Sequence, residues 1–240
     1  MNLSDSSMTS ARSEFWAGCR AITPLVIGAI PFGIIFGTLA ASSGLSAWGA
    51  AAMSAFVFAG SSQFIALGLL ASGTSLPLII LTTFVVNLRH LLYAVSLVPY
   101  VRHLPQSWRL AIGFWLTDEA FAVAIARYNQ PDPSPHKHWY YLGTALFMYV
   151  NWQICTWIAI TVGQLIPNAA NWGLDFAMSV TFIGMVIPYL ITSPMLIAVA
   201  VAGIVSLLAH ALPHQLGLIV AALTGIAAGF FCEIWNEQRG

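Results

Sequence analysis

Three charges stand inside apolar segments of this sequence, and they are the residues whose types and spacing can do chemistry. From Ala21 to Val101 the one charged side chain is Arg89, in Asn87-Leu88-Arg89-His90. The next strongly apolar segment carries adjacent acids, in Leu116-Thr117-Asp118-Glu119-Ala120-Phe121. An Arg or Asp at the centre of a membrane helix costs roughly 2.5–3.5 kcal/mol on insertion scales, so such residues face a partner or a wet cavity. The pattern points to transport across a membrane.

Successive residues of a helix point about 100° apart, so Asp118 and Glu119 cannot face the same spot on a regular helix. One acid can pair with Arg89 while the other lines a cavity, where it would titrate or bind a cation. The competing reading is a fixed buried network of all three. The run Ala59-Gly60-Ser61-Ser62-Gln63-Phe64 adds neutral donors and acceptors at the centre of another apolar segment. Main-chain groups exposed near Gly60 would add more, as half-helix N-termini do for substrate carboxylates. Asn87 and His90 flank Arg89, and His90 is either titratable or held by one neighbour. The candidate substrate or coupling-ion set is therefore Gly60, Ser61, Ser62, Gln63, Asn87, Arg89, His90, Asp118 and Glu119.

No catalytic residue, metal or cofactor is expected. The sequence lacks HExxH, GxSxG and a Gly-rich phosphate loop with Lys, so zinc hydrolysis and ATP-driven pumping have no residues to support them. His136, His138, His210 and His214 read as solvated or interfacial. Cys19, Cys155 and Cys232 are widely spaced and read as buried small apolar residues. A formal net charge of zero gives no reason to expect nucleic acid.

The elements that must position these groups are membrane helices. Of the 240 residues 59% are hydrophobic and 7% charged, against about 25% charged in a soluble domain, and the mean hydropathy is +0.82. An all-α polytopic bundle of about seven or eight spans is expected, with broken or re-entrant helices and the bilayer as its solvent. Polar, Ser-rich residues 1–14 read as a disordered tail, and residues 15–240 as a single transmembrane transporter domain. Apolar segments fall at about residues 17–41, 48–71, 76–99, 109–127, 139–163, 174–192, 194–211 and 215–235. Trp16, Trp48, Trp108, Trp139, Trp172 and Trp235 mark their edges, where an indole gains most from lipid and headgroup together.

Several segments read as interrupted. The first holds Pro24 and Pro31, the second the Gly60–Gln63 cluster, and the sixth Pro188. In lipid, irregular backbone is tolerated inside protein or along a water-filled cavity, and such helices often form the substrate site of secondary transporters. Ile30-Pro31-Phe32 and Ile187-Pro188-Tyr189 are alike enough to suggest an internal repeat. Basic residues cluster at Arg12 and Arg20, Arg102 and Arg109, and Arg127 and Lys137. They cannot all be cytoplasmic if every segment crosses. Either the segment around Gly60 or Asp118 is re-entrant or broken, or one cluster is outside. A cytoplasmic N-terminus is the favoured orientation. Gly33/Gly37 and Gly225/Gly229 are spaced for close helix contact, within the fold or against a separate subunit.

The three motifs around Gly60, Arg89 and Asp118, in that order, together with Pro24 to Gly37, resemble the AzlC/YgaZ family of branched-chain amino acid exporters. The resemblance is sharpest over residues 20–125. It implies export of valine, leucine or isoleucine, and by analogy methionine, across a bacterial cytoplasmic membrane. It also implies a small AzlD/YgaH-like membrane subunit as partner. Under that reading the substrate carboxylate sits on Arg89 or on amides near Gly60 to Gln63, and the ammonium on Asp118 or Glu119. Phe32, Phe58, Phe64 and Tyr93 are candidates for the apolar wall. The competing classes are an ion or proton channel, with the same charges lining a pore, and a membrane scaffold for another transporter.

Overall fold

The computed structural model describes residues 10–131, 134–162, 183, 187, 190–212 and 216–238, and the regular elements among them are helices. Pro188 and the repeat inferred from it, Trp172, His214 and most of the segment at 174–192 lie outside the described residues. The chain divides into two compact units, Met1–Thr74 with Asn87–Trp172, and Ser75–Val86 with Gly173–Gly240.

The first unit is built on α1 (Ala11–Ser42) and α8 (Lys137–Val162). Ser10 caps α1 by accepting from the Ser13 amide at 3.1 Å, so the helix starts ahead of the tail boundary drawn from the sequence. It then runs through Pro24 and Pro31 as one element, which corrects the expected interruption. A helix-interior proline costs about 3 kcal/mol locally. Packing along the whole helix outweighs it here. A Cβ on Gly33 would stand 2.6 Å from Cys155 Cβ, and one on Gly37 2.6 Å from Ala159 Cβ. Gly18 lies on the Tyr140 carbonyl and Gly143 on that of Phe15. The two backbones therefore touch, as glycine-lined membrane helices do. Cys19 and Cys155 are buried in this seam, as expected.

Between these two helices lie α2 (Ala47–Phe56), α3 (Gly60–Ala71), α5 (Arg89–Val101), α6 (Gln106–Phe114) and α7 (Asp118–Tyr128). Gln63 Nε2 donates to Met53 O at 3.0 Å. Ten residues of straight helix would separate them by about 15 Å, so the chain reverses at residues 57–59. The second reversal, at residues 115–117, is equally plain. Trp108 at the start of α6 meets Trp139 edge to face at 5.0 Å. Tyr128 and Asn129 at the end of α7 return to Tyr100, through a ring stack and a 2.6 Å hydrogen bond. Segments 48–71 and 109–127 are thus helical hairpins that enter and leave by the same end, not spans. The conflict among the basic clusters disappears with them, because all three now belong to one end of the unit.

In the second unit lie α4 (Leu76–Asn87) as far as Val86, α9 (Ser193–Leu208) and α10 (Leu216–Glu237), while Asn87 belongs to the first. Gly225 meets Ala202 Cβ at 2.8 Å and Gly229 meets Ala198 Cβ at 2.9 Å, so α9 and α10 also pack backbone to backbone. Both glycine pairs are therefore occupied within their own unit, which removes them as docking faces for a separate subunit. On α4 Ile80, Leu81 and Phe84 are exposed, a face suited to lipid.

Candidate functional site

Two chain breaks and one helix junction meet in the first unit. Ala59 is extended (φ −142°, ψ 97°) and opens α3 with no side-chain cap. Thr117 is extended (φ −129°, ψ 170°) and caps α7, its hydroxyl accepting from the Ala120 amide at 3.2 Å. Leu88 is a single turn residue ahead of Arg89, the first residue of α5. Tyr149 of α8 touches both hairpin tips, with its ring 4.8 Å from Phe58 and 6.1 Å from Trp115.

Arg89 joins them. Its Nη2 donates to Ser61 Oγ at 2.7 Å and pairs with Asp118 Oδ2 at 3.0 Å. Ser62 Oγ donates to Asn87 Oδ1, and His90 Nδ1 lies 3.1 Å from Asn87 O. Ser61, Ser62, Asn87, Arg89 and Asp118 are thus brought together, and Asp118, not its neighbour Glu119, holds the arginine. His90 is occupied with its own helix and with the edge of Tyr93, 5.8 Å away. Gly60–Gln63 were expected to be the irregular stretch. They form the first turn of α3, and the break lies just before them. A Cβ at Gly60 would stand 3.3 Å from the Trp152 ring, so this glycine serves a close approach.

Several polar atoms around the pair are left over. Among the described residues, buried Arg89 Nε, Trp115 Nε1 and Trp152 Nε1 have no acceptor, and Gln63 Oε1 and Asp118 Oδ1 have no donor. Each such atom left unsatisfied costs about 1–3 kcal/mol. The first amides of α3 add donors, since the opening turn of a helix has no intrahelical acceptor for them. Donors for an anionic group and acceptors for a cationic one lie on the same short stretches of chain. Of the proposed apolar wall, Phe32 and Phe58 are buried, Phe64 meets Phe36 edge to face at 6.3 Å, and Tyr93 stacks on Phe121 at 4.6 Å.

Tyr149, Trp115 and Trp152 escaped the sequence reading, which used tryptophans only as edge markers. A second ion pair escaped it too. Glu14 is buried against Arg127, accepting from Nε at 3.3 Å and from Ser134 Oγ at 2.7 Å. The Arg127 guanidinium also sits 5.8 Å from the centre of the Tyr140 ring. Both partners stand near segment edges, where charges look solvated, and no local signal links residues 113 apart.

The AzlC protein family matches residues 24–166, which hold both hairpins, Arg89 and Asp118. The chain belongs to the AzlC family. It is 33% identical over 153 residues to the inner membrane protein YgaZ of Escherichia coli, covering 63% of this chain and 62% of that protein. The matched stretch thus falls short of two thirds of YgaZ. Identity to the branched-chain amino acid transport protein AzlC of Bacillus subtilis is 30% over 176 residues, 72% of this chain and 68% of that one. An uncharacterized membrane protein of Archaeoglobus fulgidus is 32% identical over 219 residues, 90% and 94% of the two chains. No solved structure matches. The chain is a multi-pass membrane protein, with Ala11–Ala41, Leu76–Val101 and Lys137–Val162 long and apolar enough to cross a bilayer.

Proposed function

We propose that this chain is a secondary exporter of branched-chain amino acids, working with a small membrane subunit. One observation carries the reading: buried acceptors and donors without partners surround an Arg89–Asp118 pair between two hairpin tips. An α-amino acid presents a carboxylate and an ammonium a few ångströms apart. The uncapped start of α3 with Arg89 Nε suits the carboxylate, and Asp118 Oδ1 with Gln63 Oε1 suits the ammonium. Aromatic and aliphatic neighbours supply an apolar side-chain wall. Glu119, adjacent but outside the ion pair, is the proposed carrier of a coupling proton. The relative named for branched-chain amino acid transport supports the substrate class.

A wall of this kind separates valine from leucine weakly, since one methylene is worth roughly 1–3 kcal/mol. It rejects side chains that carry a charge into it. Cells expressing this chain with its small subunit should lower their internal valine pool and tolerate toxic branched-chain analogues. Efflux of lysine or glutamate as fast as valine would refute the substrate class. Full export by this chain alone would refute the partner.

A further inference from the structure

Away from the Arg89 site, a cavity of about 130 Å³ opens at the basic end of the first unit, between the end of α5, the end of α7 and the start of α8. A single water needs roughly 10–15 Å³ of such space, so there is room for a polyatomic group. Its polar lining is Tyr100, His103, Tyr128, Ser134, Lys137 and His138, and it includes no carboxylate. Ser134 Oγ donates to Glu14, and one Lys137 Nζ proton goes to Gln130 O at 2.7 Å. Tyr128 is 7% exposed, and its hydroxyl has no hydrogen-bond partner among the described residues. Its ring is fixed against Tyr100 at 5.2 Å, so the hydroxyl cannot swing out to solvent. Tyr100 directs its own proton to Asn129 Oδ1, which leaves the phenol of Tyr128 as the pocket's buried unspent donor.

Glu14 borders the cavity through Ser134, whose hydroxyl donates to it at 2.7 Å, and its charge is neutralised by the ion pair with Arg127. His138 packs on the Trp108 ring at 4.5 Å, and Trp108 on Trp139, which sets the cavity at the aromatic level where headgroups begin. We propose that this pocket binds a phosphate group, with the Tyr128 hydroxyl as its buried donor, the Lys137 ammonium as its positive charge, and the His103 and His138 rings as further N–H donors at its rim. Two sources share that chemistry, the headgroup of an anionic phospholipid and free phosphate. Basic pockets between membrane helices on the cytoplasmic side hold anionic headgroups in just this setting.

The test uses the full chain in nanodiscs of phosphatidylcholine, with and without phosphatidylglycerol, and separately in detergent with inorganic phosphate. Retained phosphatidylglycerol is counted by native mass spectrometry, and phosphate binding is read by a thermal shift. Tyr128→Phe keeps the ring stack but loses the donor, and should weaken binding roughly tenfold, the worth of one hydrogen bond to a charged acceptor. Lys137→Gln, which removes the pocket's charge, should weaken it as well. Saturable phosphatidylglycerol retention lost in these variants identifies the lipid source. Binding of inorganic phosphate that depends on the same residues identifies the free anion. If the folded protein binds neither, or if both are bound equally by wild type and Tyr128→Phe, the assignment is wrong.

Discussion

Arg89 and Asp118 each make sense only with the other present. Removing one member of a buried pair typically costs 3–5 kcal/mol, because the remaining charge is stranded. With side chains 26% and 19% exposed, this pair belongs near the lower end of that range. Arg89→Ala should therefore cost about 3 kcal/mol, seen as a loss of monodisperse protein in detergent. Adding Asp118→Asn should restore part of it, whereas adding Glu119→Gln should not. Glu14 and Arg127, at 3% and 11%, are more deeply buried, so Glu14→Gln should cost more, nearer 5 kcal/mol. A smaller effect there than at Arg89 would count against this ranking. Arg89 with its acid was legible because isolated charges in apolar segments need a partner. Which acid was not legible, since the choice rests on the cap at Thr117 and the resulting direction of α7's first turn. Glu14 left no trace because an edge charge looks the same whether solvated or buried.

At the scale of elements, glycine geometry gives opposite signs along a single helix. Gly28 of α1 has nothing within 4 Å of where a Cβ would stand, while Gly33 and Gly37 face Cys155 and Ala159 at 2.6 Å. Gly28→Ala should stabilise by up to about 1 kcal/mol through helix propensity. Gly37→Ala should lower the thermal midpoint, because α1 would have to move off α8. Equal shifts from the two changes would mean that the seam is not as close as described. The helices themselves were readable from hydropathy, and the hairpins only half so. A stretch of some 20 apolar residues satisfies a span whether or not it turns back. The information about reversal lies in contacts such as Gln63 with Met53, which no window of hydropathy holds. Its traces in the sequence were the charge conflict among the basic clusters and the small polar run at Gly60–Gln63, just after the turn.

For the whole molecule, the two hairpins enter from opposite ends, and the end carrying Arg12, Arg109, Arg127 and Lys137 should face the cytoplasm. With Cys232→Ser as background, Ser72→Cys should react with a membrane-impermeant thiol reagent applied to intact cells. Gln130→Cys should react only after the membrane is opened. The reverse pattern would invert the orientation.

The central claim is that a zwitterionic amino acid is held at the hairpin tips by Arg89 and Asp118. Counterflow of labelled valine in proteoliposomes, with the small subunit present, tests it most directly. Arg89→Lys keeps a charge that can meet Ser61 and Asp118, which both contact the single nitrogen Nη2, but loses the Nε donor proposed for the substrate carboxylate, so folding should survive while counterflow falls. The account predicts valine counterflow in wild type, competed by leucine and isoleucine but not by isovalerate, which lacks the ammonium. It further predicts a loss of roughly tenfold or more in Arg89→Lys, the worth of a charged hydrogen bond. Unchanged counterflow in a folded Arg89→Lys protein, competition by isovalerate as strong as by leucine, or ionic currents with no counterflow would contradict it.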